Sequence, residues 1–62
     1  MRYSVTIEPR DRLAHPQAPA VRSIVEAADK DAALDDVEAA YRRRYPGIEK
    51  LTVHVVRLRP RP

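Results

Sequence analysis

The stretch that decides the fold is residues 28–47, "ADKDAALDDVEAAYRRRYPG". It reads as one helix with both ends marked. Asp29 carries a short carboxylate suited to accept a first-turn amide that has no partner inside the helix. The alanines and Leu34 that follow favour helical backbone. At about 100° per residue, Ala33, Leu34, Val37, Ala40 and Tyr41 fall within one stripe, the expected core face, with Ala32 and Ala39 on the far side. Glu38 stands one turn before Arg42 in the orientation that favours an ion pair. Pro46 disfavours helical backbone at Tyr45, and Gly47 supplies a permissive residue just past the end. The spacing therefore predicts a helix that starts at Asp29 and stops by Arg44 or Tyr45.

The flanks of this helix read as strands. "RYSVTIE" (2–8) alternates, with Tyr3, Val5 and Ile7 on one face and Arg2, Ser4, Thr6 and Glu8 on the other. That period of two is the mark of a half-buried strand, and Pro9 is expected to end it. "VRSIVEA" (21–27) gives a second strand, with Val21, Ser23, Val25 and Ala27 inward. "IEKLTVHVVRL" (48–58) gives a third, with Leu51, Val53 and Val55 facing one way and Thr52, His54, Val56 and Leu58 the other. The Pro-rich loop 9–20 joins the first two strands, and a length of that order marks a functional or mobile connection. The basic tail 59–62, "RPRP", is expected to extend from the body, since proline cannot pair inside a sheet.

The order strand, strand, helix, strand leaves one compact arrangement. The helix crosses from the second strand to a third strand parallel to it, and the first strand lies between them, antiparallel to both. The prediction is an α+β fold: a two-layer β-β-α-β unit with a three-stranded sheet in the order 2-1-3 and one helix on one face. All 62 residues form a single small domain.

Such a chain is short for an independent core, because about 60% of the unfolded surface is buried at this size. There is no cysteine, so neither disulfides nor thiolate-bound zinc can supply the difference. Self-association is the remaining source of stability, and a homodimer is expected. No apolar run follows Arg2 to make a signal peptide, and none approaches the ~20 residues that span a membrane. A cytoplasmic chain without membrane contact is the expectation.

The arginine run 42–44 invites a nucleic-acid reading, and the charge pattern supports a simpler one. Acids (Asp29, Asp31, Asp35, Asp36, Glu38, with Glu26 just ahead) occupy the helix before its last turn and the arginines its end. That order complements the helix dipole, at roughly 0.3–1 kcal/mol per charge. Three consecutive helical residues also spread over about 200° and make no stripe; Arg44 falls near the core face and must snorkel. The alternative is a cluster of Arg42, Arg43, Lys50, Arg57, Arg59 and Arg61 meeting DNA or RNA phosphates where the helix ends and the tail leaves. Without phenylalanine or tryptophan, and with Tyr3 inward, the sheet lacks a base-stacking platform, so sequence specificity would be low.

Catalysis has little to stand on. His15 and His54 are far apart in sequence, the serines lack an activating partner, and Asp35 and Asp36 point in different directions on the helix. Gly47 is the single glycine, so there is no glycine-rich phosphate loop. No cofactor is implied. What remains is the outer sheet face, where Ile24, Val56 and Leu58 join Ser4, Thr6, Thr52 and His54. One helix cannot cover both faces, and a mixed face with three aliphatics suits a partner. The reading is a small non-enzymatic binding or regulatory protein, acting by contact with a protein partner and by self-association through Ile24, Val56 and Leu58. The alternative is a low-specificity nucleic-acid-binding module built on the basic end.

Overall fold

The computed structural model describes residues 1–59. The elements run β1 (Arg2–Pro9), β2 (Val21–Glu26), α1 (Lys30–Arg44) and β3 (Leu51–Leu58). The sheet has the order β2-β1-β3, with β1 antiparallel to both neighbours. The β-β-α-β order and the central first strand are those the sequence predicts.

The helix is held at both ends as its residues dictate. Asp29 is the N-cap, and its Oδ1 accepts the Ala32 amide at 2.8 Å. Tyr45 is the C-cap, its amide donating to the Tyr41 carbonyl at 2.8 Å. The chain then turns through Pro46 and Gly47, the glycine at φ 88°, a left-handed conformation that costs it no Cβ clash. Arg42 closes the turn: its Nη1 donates to the Ile48 carbonyl at 2.6 Å, while Nε reaches Glu38 at 3.4 Å.

The core lies between β1 and α1. Tyr3, Val5 and Ile7 project from the central strand against Ala33, Val37 and Tyr41, which stand four residues apart on the helix. Several placements correct the sequence reading. Ala40 is exposed, because the stripe is narrower than 100° counting implied and centres on Ala33, Val37 and Tyr41. The third strand begins at Leu51 instead of 48; Ile48 is buried all the same, as part of the turn that Arg42 fastens over the end of the core. Pro9 does end β1, but as a member of it: it is the strand's last residue, fully buried and paired with Leu51. β2 ends at Glu26, one residue early, although the Ala27 amide still donates to the Met1 carbonyl at 2.9 Å.

The connection between β1 and β2 folds into consecutive turns. Asp11 Oδ1 accepts the amides of Leu13 and Ala14 at 3.1 and 3.2 Å, the self-capping that short carboxylates offer a turn. Farther on, the Tyr41 hydroxyl donates to the Pro19 carbonyl at 2.9 Å and ties the loop to the helix.

Candidate interaction surface

The alternation of β1, β2 and β3 puts a defined set of side chains on the sheet face opposite α1. Cross-strand partners share a face, so the register assembles rows. Ile24, Ser4 and Val56 form one, Glu26, Arg2 and Leu58 the next, and Arg22, Thr6 and His54 a third. Among the described residues no other element packs on this face: Ile24 is 56% and Val56 44% exposed. Leu58 is half-buried. The structure thus brings the three sequence-predicted self-association residues to one surface, with Ile24 and Val56 on opposite flanks of the central strand. Ser4, read from the sequence as an open position, is buried between them, and its hydroxyl accepts from Arg22 Nε at 2.9 Å. The long Arg22 side chain lies over the sheet and covers it, a packing effect that alternation does not reveal.

The basic residues do not converge. Arg42, Arg43 and Lys50 stand where α1 ends and β3 begins, whereas Arg57 and Arg59 stand at the far end of β3, beside Arg2. At roughly 3.4 Å per residue, the strand separates Lys50 from Arg57 by about 24 Å. The physical reason is direction: the helix runs antiparallel to the strand that follows it, so residues before and after β3 lie at opposite ends of the molecule. Arg42 is moreover committed to Glu38 and Ile48 within the fold. Arg61 lies outside the described residues. Phosphate contact from this set would have to come from two separate patches.

A third feature was missed in the sequence. The inner face of β2 and the helix leave an open apolar cleft of about 370 Å³ between them, lined by Val21, Val25, Val37, Ala40, Tyr41 and Tyr45, with Asp36 and Arg44 at its rim. The signal was the four-residue spacing of Tyr41 and Tyr45, which places both rings on one side. Their centroids are 5.0 Å apart. Arg44 borders this apolar cleft while remaining exposed; its guanidinium lies 5.9 Å from the Tyr45 ring centre, and Nε donates to the Tyr45 hydroxyl at 3.4 Å. Burial pushes the Tyr41 phenol above its ordinary value, with Tyr45 and Glu8 adding to the rise.

Among the described residues, no group of three or more histidine or carboxylate side chains gathers into a metal-binding arrangement. No helix there is long and apolar enough to cross a membrane. No family model, curated protein or solved structure matches this chain.

Proposed function

We propose that this chain is a small non-enzymatic binding protein that works by protein–protein contact and self-associates through its sheet. The observation that carries this reading is the uncovered outer face, where Ile24 and Val56 stand 56% and 44% exposed on either side of the buried Ser4. A two-fold interface would place each of these aliphatics on both partners, so that a modest patch is used twice. The motive is the size of the core. Among the described residues, the buried apolar side chains come from β1, α1 and Ile48, and none from either edge strand. Burial of the edge strands is what a second copy would supply.

The test is sedimentation velocity across a concentration series. A dimer at tens of micromolar supports the reading, and a monomer throughout overturns it. The double variant Ile24→Lys, Val56→Lys should sediment as a monomer or lose stability, because Ile24→Lys draws an ammonium group into the contact whether outer faces stack or β2 edges pair, and Val56→Lys adds a second where the faces stack.

A further inference from the structure

We infer that β2 is the edge at which two copies meet, with their β2 strands antiparallel, Ile24 on the two-fold axis and Arg22 opposite the partner's Glu26. This rests on the self-association proposed above and specifies its geometry.

The backbone supplies the first argument. The Ala27 amide donates to the Met1 carbonyl at 2.9 Å, so residues 1 and 27 form a hydrogen-bonded pair. Antiparallel ladders alternate bonded and non-bonded pairs. The bonded pairs between β1 and β2 are therefore Tyr3 with Val25, Val5 with Ser23, and Ile7 with Val21. The β3 side agrees, since the Arg10 amide donates to the Lys50 carbonyl at 3.0 Å, which assigns the even-numbered residues of β1 to β3. It follows that Arg22, Ile24 and Glu26 turn their amides and carbonyls outward, to the free edge of the sheet. Val21–Glu26 holds no proline, no lysine and no bulge to blunt that edge, and its only charges are the opposite pair Arg22 and Glu26. An unprotected edge of this kind is a template for another strand.

The side chains choose the strand. Partners across an antiparallel pair share a face, so registers differ by two residues. Centred on Ile24, the pairing sets Arg22 against the partner's Glu26 and Glu26 against the partner's Arg22, two opposite-charge pairs flanking an Ile24–Ile24 contact on the outer face. On the inner face Ser23 meets the partner's Val25. All three residues with outward backbone groups then form bonded pairs. Centred on Ser23, Arg22 would face the partner's Ile24; centred on Val25, Glu26 would face it. Either shift loses both charge pairs. The sequence "RSIVE" is thus self-complementary in one register. The other edge has no equivalent, because the outer face of β3 from Thr52 to Leu58 carries no carboxylate. Arg22 must turn from the Ser4 hydroxyl to reach across, and a carboxylate is the stronger acceptor.

Amide hydrogen exchange tests this directly. At ten times the dissociation constant, the amides of Arg22, Ile24 and Glu26 should exchange about fivefold slower than in the dilute monomer, the inverse of the monomer fraction remaining. The Ser23 and Val25 amides, bonded within each copy, should already be protected in the dilute monomer, where those of Arg22, Ile24 and Glu26 are open. A dimer whose edge amides stay open would mean that the outer faces stack, which overturns the inference and leaves self-association standing. Absence of any dimer overturns both. Charge exchange provides the second arm. Arg22→Glu and Glu26→Arg should each weaken the homodimer on the order of tenfold, and an equimolar mixture of the two variants should restore it as a heterodimer. A mixture no tighter than either variant alone would refute the register.

Discussion

Tyr41→Phe removes one oxygen and tests how the loop is tied to the helix. The ring is 4% exposed and packs in the core, and its hydroxyl donates to the Pro19 carbonyl at 2.9 Å. Phenylalanine keeps the ring, so no cavity opens. A net hydrogen bond contributes about 1 kcal/mol, and the exposed Pro19 can take water in place of the missing donor, which keeps the cost near that figure. In a chain of this size the core supplies only about 3–5 kcal/mol, so the loss should lower Tm by roughly 4–8 °C. The second arm is pH. Burial raises the Tyr41 phenol above its ordinary value, so the folded state holds this proton more tightly than the unfolded chain does. Its contribution is complete below the unfolded value near pH ~10 and is lost as pH rises through the folded value, at up to about 1.4 kcal/mol per pH unit. Phenylalanine has nothing to titrate there. Urea denaturation of both proteins at pH 8 and through pH ~10–11.5 should show the wild type more stable at pH 8, with the gap narrowing as pH rises. Equal stability at pH 8 together with parallel alkaline slopes would refute both the bond and the burial argument.

Other changes probe the remaining joints. Asp29→Ala removes the acceptor of the Ala32 amide and should cost about 1 kcal/mol by thermal melting. Val37→Asp places an unpaired carboxylate at a position 6% exposed in the middle of the helix–sheet contact; at several kcal/mol it should unfold the chain, as read by circular dichroism. Replacing Arg57, Arg59 and Arg61 together by alanine should leave Tm nearly unchanged, because Arg57 and Arg59 are exposed and make no ion pair among the described residues. Were phosphate bound at that end, the same variant would flatten the salt dependence of nucleic-acid binding by about one unit for each phosphate no longer neutralised.

The element order was legible because each element carries its own local mark. The Asp29 cap, the Ala33–Val37–Tyr41 spacing and the Pro46–Gly47 stop are properties of neighbouring residues, and they placed α1 to within one residue. The alternation of Tyr3, Val5 and Ile7 likewise placed β1 and named its buried face. With the strands and helix in that order, the position of β1 between its neighbours followed from connection rules alone. The outer-face trio Ile24, Val56 and Leu58 could be named for the same reason, since alternation assigns faces without knowing partners.

What only the tertiary structure decided depends on direction and reach. Charge counting grouped Lys50 with Arg57, yet a strand of eight residues keeps them at opposite ends. Ile48 is buried although it belongs to no strand, because Arg42 bonds its carbonyl across the turn. Ala40 satisfies the helical period and still meets solvent, because α1 lies over β1 and leaves the side toward β2 open. The outward backbone of Arg22, Ile24 and Glu26 is of the same kind. Hydrogen-bond direction depends on which pairs of two strands bond, and that is a property of the register between them, carried by no residue alone.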